Sequence, residues 1–557
     1  MGKKVFIGVA WPYLNGDIHI GHLAGYLLPA DVFARFNRFL GNETLMVSGS
    51  DCFGTPVMIE AESRDLEPRE IVEEYHKKNV ELFKFLGISF DIYTKTDTKN
   101  HKETAQKLFL SFIQNGFIFK NKTNQYYSET EKRFLPDRLV EGECPKCGYA
   151  AARGDQCDNC GAVFGEGELL NPKSRVSGGG IRLKETEHYF FDWPKLQPFL
   201  EKYVESHSSW RRWVFSETEG WLKKGLKPRA ITRDLEWGIE IPIDRIPENL
   251  RIEGAEKKRI YVWFEAVIGY LSASIEWAEK NGKKWEDFWY DSESCHAYFM
   301  GKDNLIFHTL FWPGQLHTYD EKLHLPDFPA VNQFLNLEGQ KFSKSRGITI
   351  DSKYIVEKYG LDAVRFYLCL IMPENADANF SWTDFASKTN DILIANFGNF
   401  VNRTLTLAKG IDFDLGFEIN SDLENSVLNF IKEARSALEN FEFKKYAETI
   451  IRLSDLGNKY LSKKEPWLIK NREEKDFKET IYNSLFIVLA LYLISKPLLI
   501  NSVKEISKFL QIEIKEWPRD ELNELKELVK KIKIKNPKPL FKKIEKETIQ
   551  KEQAKLP

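Results

Sequence analysis

Apolar positions along the chain alternate between short continuous runs and wider helical spacings. Lys4 to Val9 is a mostly apolar run of the kind that forms a buried parallel strand. Leu23, Tyr26, Leu27, Ala30, Phe33 and Ala34 then mark one face of a helix from about Gly21 to Leu40. A second strand, Glu43 to Gly49, ends at Ser50-Asp51-Cys52-Phe53-Gly54-Thr55-Pro56, where Pro56 opens another helix. Helical segments follow to about Leu86 and from about Lys102 to Asn115. From Phe117 to about Ile252 the chain has the character of an insertion, mixed and aromatic in composition. Strands return at Arg259 to Phe264 and at His296 to Met300, the latter running into a helix that carries Phe307 and His308. Asp351 to Leu370 reads as a helix pair, and from about Thr389 the pattern is wholly helical. Leu485 to Ile494 is the longest apolar run, expected as a buried bundle helix. From about Glu521 the Lys- and Glu-rich end, broken by Pro537 and Pro539, is expected to be a solvated tail.

Strands alternating with helices predict an α/β fold with a doubly wound parallel sheet, in which ligands bind at the carboxyl ends of the strands. The loop from Ala10 to His22 (Ala-Trp-Pro-Tyr-Leu-Asn-Gly-Asp-Ile-His-Ile-Gly-His) joins the first strand to the first helix. Gly16 and Gly21 let the backbone approach a ligand, and the helix N-terminus favours an anion towards which His19 and His22 can point donors. A metal pair or ordinary capping would use the same two histidines. Asp51, at a strand end, either takes a substrate ammonium group or caps the next helix. Trp263 and His308 lie either near the pocket or in the core. Trp210, Trp213 and Trp221, interleaved with Arg211, Arg212, Lys223, Lys224 and Lys227, fit an amphipathic helix with a solvated charged face better than an RNA contact.

A chain of 557 residues suggests roughly three to four domains. Its net charge of −2 provides no global field for nucleic acid, so any RNA contact must come from local patches. The N-terminus leads into the first strand without a cleavable apolar segment, and no run has the roughly 20 apolar residues of a membrane span, so a cytoplasmic protein is expected. Four of the seven cysteines are clustered as two Cys-x-x-Cys hooks, Cys144 with Cys147 and Cys157 with Cys160. Four thiolates at this spacing close a tetrahedral shell, which predicts a structural zinc knuckle rather than a catalytic metal, with a disulfide pair as the alternative.

Far downstream, Gly339 to Gly347 reads Gly-Gln-Lys-Phe-Ser-Lys-Ser-Arg-Gly, a basic loop with Lys341 and Lys344 three apart. His-Ile-Gly-His followed by Lys-Phe-Ser-Lys-Ser resembles the signature pair of the class I aminoacyl-tRNA synthetases, with Phe342 where that class most often has Met. Ala-Trp-Pro-Tyr-Leu-Asn-Gly, Gly-Ser-Asp-Cys-Phe-Gly-Thr-Pro, Tyr-Val-Trp-Phe-Glu-Ala-Val-Ile-Gly-Tyr, Gly-Lys-Asp-Asn and Phe-His-x-Leu-Phe-Trp-Pro narrow the resemblance to the methionyl-tRNA synthetase family, in its one-zinc-knuckle branch. Trp11 and Val267 stand where relatives commonly carry Leu and Pro.

The resemblance implies a Rossmann-like α/β catalytic domain in two halves, 1–116 and 259–330, around an inserted connective domain with the zinc knuckle, 117–258. It implies a lysine-loop and stem-contact region, 331–388, a helical anticodon-binding bundle, 389–520, and the charged tail, 521–557. Methionine would be held by Asp51 at its ammonium and by Ala10, Tyr13, Trp263, Ala266 and His308 along its side chain. His19, Gly21, His22 and Lys344 would bind ATP, with Mg2+ bridging the phosphates, and His19, His22, Lys341 and Lys344 would carry catalysis. Asn399, Arg403 and Trp467 would read the anticodon of tRNA(Met). A monomer is expected, because Pro557 comes before any oligonucleotide-binding extension. Two other readings stand beside this one. A synthetase for leucine, isoleucine or valine would need a large editing domain between the signatures, and a cysteine enzyme would need an open zinc site. A noncatalytic RNA-binding protein of the same fold would be expected to lose His22, Asp51 or Lys344, and all three are present.

Overall fold

The computed structural model describes residues 2–555 except 137–138, 155–156, 158, 161, 163, 165–166, 344–346, 412, 414–416 and 470–473. Five strands, β1 (Lys4–Val9), β2 (Glu43–Ser50), β3 (Ile92–Lys95), β4 (Cys295–Gly301) and β5 (Phe328–Asn332), form one sheet in the order β5-β4-β1-β2-β3. Every neighbouring pair in it is parallel. Helices cover both faces, which explains why β1 and β4 are almost continuously apolar and buried. The order reverses between β1 and β4, so the crevice at their carboxyl ends is the topological switch point where such sheets bind ligands.

The first helix, α1, follows β1 as Ile20–His22, a wide i→i+5 turn at Leu23–Leu27, and Leu28–Phe39. Wide turns of this kind are rare and concentrate at functional sites. One recurs at Phe307–Phe311, around His308, and another at Lys388–Gly398, just before Asn399.

The expected strand at Arg259 to Phe264 is corrected. Only Lys258–Ile260 is extended, and it pairs antiparallel with Thr232–Asp234, outside the main sheet. Val262–Glu265 is a helical turn, so Trp263 reaches the site from a turn rather than from a strand end.

The insertion is built on a long antiparallel hairpin, Ile118–Ser128 with Ile181–Phe191, carrying a small three-stranded module that contains the cysteines. That module has a core of its own around Val140, Phe164 and Leu169. The Trp- and Arg-rich segment divides in two. Arg212, Lys223, Lys224 and Lys227 are exposed, as expected of a solvated face. Arg211 is not, because its guanidinium donates to the carbonyls of Val331 and Phe441 at 2.6 and 2.9 Å and to Asn332 Oδ1 at 2.7 Å. It thereby ties the insertion to β5 and to the helical bundle.

In that bundle Leu485 to Ile494 is fully buried within Glu474–Ser495, as expected. This helix is long and apolar enough to cross a membrane, but 89% of its most apolar stretch lies inside the fold. The expectation of a solvated tail is corrected as well. Glu521–Val529 packs on the bundle, and Ile532, Ile544 and Ile549 are buried. Glu552, also buried, accepts from the Tyr354 hydroxyl at 2.7 Å and pairs with Lys358. Charge composition described the outer face of this segment and missed its anchors.

Candidate active site

The N-terminus of α1 is organised by its two histidines. His19 is the N-cap residue, and its Nδ1 accepts the Gly21 N–H at 3.1 Å, while His22 Nδ1 accepts the His19 N–H at 3.1 Å. With Nδ1 an acceptor in both rings, the proton of each sits on Nε2. Two of the helix-terminal N–H groups expected to be free for an anion are therefore used by the rings. Gly21 is required by closeness, because a Cβ there would come within 2.8 Å of the His19 ring. Phe342 of the lysine loop stacks on His19 at 4.6 Å with planes 4° apart, and the Ile20 N–H donates to the Ile350 carbonyl at 3.2 Å. The two signatures are thus in contact through this chain's Phe342. Lys344 lies outside the described residues.

A cleft of about 550 Å3 at the switch point is lined by Ala10, Tyr13, His19, Gly21, His22 and Asp51, together with Trp263, Ala266, His308 and Lys341. These are the residues expected for methionine, ATP and catalysis, Lys344 excepted, brought together from five separate stretches of chain. Asp51 is 3% exposed at the end of β2, its N–H bonded to the Pro12 carbonyl. Burial, and then the nearby Glu265, push its carboxyl well above the usual carboxylate range. Trp263, 38% exposed, meets Phe307 edge to face at 5.1 Å. His308 Nδ1 donates to the Asn304 carbonyl at 2.9 Å, so its Nε2 accepts the Tyr270 hydroxyl at 2.8 Å, and burial lowers the imidazole to about 4. Trp11 lies against Gly49 and Gly269, where added Cβ atoms would come within 2.1 and 2.6 Å of its ring. Tyr270 and Asn304 also line the cleft, and neither has a role in the sequence-based expectation. Both stand inside motifs that carry the family resemblance, Tyr270 at the end of Tyr-Val-Trp-Phe-Glu-Ala-Val-Ile-Gly-Tyr and Asn304 at the end of Gly-Lys-Asp-Asn.

A larger cleft of about 1050 Å3 opens beside the first, between the sheet and the cysteine module, and shares Tyr13 and Trp263 with it. In the module the four cysteine sulfurs lie within 4.8 Å of one another. Cys144 and Cys160 are 3.8 Å apart and Cys147 and Cys157 are 3.7 Å apart, too far for disulfides at about 2.05 Å. The cluster is compatible with a structural metal ion. In the helical domain Trp467 is 42% exposed rather than packed, and the Arg403 guanidinium lies 4.9 Å over its ring. Asn399, four residues before Arg403, is also exposed.

A 3-2-1-4-5 parallel sheet whose switch point joins the paired histidines to the lysine loop, with a helical domain after it, defines a class I aminoacyl-tRNA synthetase. The family described as "tRNA synthetases class I (M)" matches residues 5–405, and the "Anticodon binding domain of methionyl tRNA ligase" matches residues 416–556. The methionine–tRNA ligase of Dehalococcoides mccartyi is 40% identical with all of both chains aligned. That of Roseiflexus sp. is 44% identical over 85% of this chain and 81% of its own. A structure of Mycobacterium tuberculosis methionyl-tRNA synthetase in complex with methionyl-adenylate shares the fold, with a TM-score of 0.77 over 97% of this chain and 99% of that one, at 21% identity. The chain belongs to the methionyl-tRNA synthetase family.

Proposed function

We propose that the 550 Å3 cleft activates methionine with ATP and then passes it to tRNA(Met), releasing pyrophosphate in the first step and AMP in the second. The observation that carries this reading is the convergence of Asp51, the histidine pair and the aromatic pocket in that cleft. Asp51 takes the ammonium group. Ala10, Tyr13, Trp263, Ala266 and His308 surround the thioether, whose contacts with ring edges are worth about 0.3–1.5 kcal/mol each. The methionine carboxylate oxygen attacks the ATP α-phosphorus, and the bond from that phosphorus to the pyrophosphate oxygen breaks. His19 and His22 donate from Nε2 to the charge that builds on the phosphates, Gly21 lets them approach, and Lys341 and Lys344 stabilise the leaving pyrophosphate. Mg2+ bound with ATP would supply further charge neutralisation at the phosphates. A terminal ribose hydroxyl of the tRNA then attacks the acyl carbonyl, and AMP leaves. No side-chain nucleophile is needed, since positioning and electrostatics serve both steps.

Exchange of pyrophosphate into ATP, with one amino acid supplied at a time, tests this without tRNA. Exchange confined to methionine among methionine, leucine, isoleucine, valine and cysteine is the expected result. Exchange with another amino acid would overturn the pocket assignment.

The proposal includes the division of the chain at 116, 258, 330, 388 and 520, and a cytoplasmic monomer, the latter checked by light scattering. It also includes one Zn2+ held by Cys144, Cys147, Cys157 and Cys160, supported by four sulfurs within 4.8 Å of one another, a donor set that suits a four-coordinate structural site. Cys147→Ala is expected to lose the metal and to expose the segment from 139 to 175 to protease, while the main sheet stays folded; metal analysis and limited proteolysis read both. At the other end of the molecule, Asn399, Arg403 and Trp467 read the anticodon, with Trp467 stacking on a base. Trp467→Ala is expected to lower kcat/KM for tRNA charging about 10- to 100-fold, a stacked base being worth about 1–3 kcal/mol, with pyrophosphate exchange unchanged. An unfolded helical domain in that variant would contradict the assignment.

A further inference from the structure

The C-terminal helix, Lys546–Gln553, reaches both elements that carry the lysine loop. The loop is closed at its base by Ser343 and Ile348, each donating its N–H to the other's carbonyl at 2.9 Å. After the loop, Ile350 accepts the Ile20 N–H at 3.2 Å and Asp351 forms an antiparallel bridge with His19. Asp351 Oδ1 also accepts the Tyr354 N–H at 2.7 Å and so caps the helix Ser352–Tyr359. Before the loop, Leu335–Leu337 pairs with Gln340–Lys341 on one side and with Ala378–Phe380 on the other. Glu338, in the turn that leads to Lys341, accepts on Oε1 the Trp382 N–H at 2.9 Å, at the start of the helix Trp382–Ser387.

Glu552 grips the first of these two helices. Its side chain is 2% exposed. Oε1 accepts the Tyr354 hydroxyl at 2.7 Å and the Tyr359 hydroxyl at 3.1 Å and pairs with Lys358, while Oε2 pairs with Lys555 at 3.1 Å. Three of the four donors belong to one helix and come from successive turns of it, so a single carboxylate fixes the helix's rotation as well as its place. Gln553, the next residue, donates from Nε2 to Thr383 Oγ1 at 3.2 Å in the second helix. Burial raises the Glu552 carboxyl, but the bonds from Lys358, Tyr354, Lys555 and Tyr359 outweigh it and bring the group down to about 2, so it is ionised at neutral pH. Ile544 and Ile549 already bury apolar surface on this segment. Apolar burial has no direction, whereas hydrogen bonds do, and direction is what Glu552 adds.

We propose that Glu552 is a positioning residue for adenylate formation: through the helix Ser352–Tyr359 it holds Ile350 and Asp351 against the N-terminus of α1, and with them the base of the lysine loop at the phosphate site. Every link in the path is a contact. Glu552 meets Tyr354, Tyr354 meets Asp351, Asp351 meets His19, and Phe342 of the loop stacks on His19. The inference rests on the reading of the loop's lysines as partners of the leaving pyrophosphate, and the test separates the two.

The test is a double-mutant cycle read by pyrophosphate exchange. Glu552→Ala is expected to lower kcat about 10- to 100-fold, since a misplacement of about 1 Å costs up to about 100-fold, with the KM for methionine within about twofold of wild type. An unchanged kcat overturns the inference. In a Lys344→Ala background the same substitution is expected to cost at least about threefold less, because a group that it positions is gone. An equal cost in both backgrounds overturns the inference and makes Glu552 an anchor only. A Lys344→Ala enzyme as fast as wild type shows instead that the reading of the lysines has failed, and the inference falls with it. Ile532→Ala controls for stability, because Ile532 is buried beside Lys533, whose N–H donates to the Leu510 carbonyl of the bundle. It is expected to lower the melting temperature and leave kcat unchanged; a kcat that follows melting temperature in both variants overturns the proposal. Tyr354→Phe, which removes one hydroxyl and keeps the ring, is expected to lower kcat about three- to tenfold, and it carries the same cycle if Glu552→Ala does not fold.

Discussion

Replacing Asp51 by asparagine is expected to raise the KM for methionine in pyrophosphate exchange about 100- to 1,000-fold, because removing one partner of a buried ion pair costs about 3–5 kcal/mol. The residue is 3% exposed, so little water is available to replace the lost charge. The effect falls on KM rather than kcat, since the ammonium group is held equally in the ground and transition states. Stability moves the other way. The Asp51 carboxyl is raised by burial and then by Glu265, so before methionine binds its ionised form destabilises the fold as pH rises through that raised value. Asp51→Asn removes this cost and is expected to melt at or above the wild-type temperature in the absence of ligand. With methionine the order reverses, because wild type gains the binding free energy that the variant lacks. The same raised carboxyl predicts a wild-type methionine affinity that declines as pH falls, at higher pH than an ordinary aspartate would give, and a flatter profile for Asp51→Asn. A variant with unchanged KM and a lower melting temperature would make Asp51 a helix cap and nothing more.

His19, His22 and Asp51 are legible in the sequence because strand-to-helix junctions are written in local residue types. An apolar run, glycines at close approaches and polar groups at the strand's carboxyl end occupy one short window. The four cysteines are legible for a similar reason, since chelate spacing is local. Trp263 lines the cleft, but from a turn and not from the expected strand end. Ile260 to Phe264 is a five-residue apolar run, and such a run suits a strand or a buried turn equally. What decides in favour of the turn is the burial of Glu265 against His101, a contact between residues 164 apart. Arg211 shows the same limit from the other side. The next residue, Arg212, is an exposed cation, and the acceptors that bury Arg211 come from residues 120 to 230 positions away. The C-terminal segment hid its anchors too, because Ile532, Ile544 and Ile549 follow no single period. Chemistry carried by one window could be read directly, and chemistry assembled by tertiary pairing could not.

His19→Asn is expected to lower kcat for pyrophosphate exchange about 100- to 1,000-fold, the usual effect of removing one preorganised donor from a developing charge. Asparagine is the informative replacement because the ring has two separable duties. Its Nδ1 caps α1 by accepting the Gly21 N–H at 3.1 Å, and an asparagine Oδ1 at an N-cap position accepts in the same way. Its Nε2–H, on the far side of the ring, has no counterpart in the shorter side chain. Stability should therefore stay within about 1 kcal/mol of wild type while the rate falls. His19→Ala loses the cap as well, and is expected to show the same rate defect together with a stability loss of about 0.5–2 kcal/mol. Methionine KM should change little in either variant, because Asp51 and the aromatic pocket lie on other elements. The stack with Phe342 adds a second consequence: without the ring, the lysine loop loses its 4.6 Å contact with the helix N-terminus. Phe342→Met, which keeps an apolar side chain without the plane, separates that contribution from the donor's. A fast His19→Asn enzyme would reduce the histidine to a cap and leave the phosphates to His22 and the lysines.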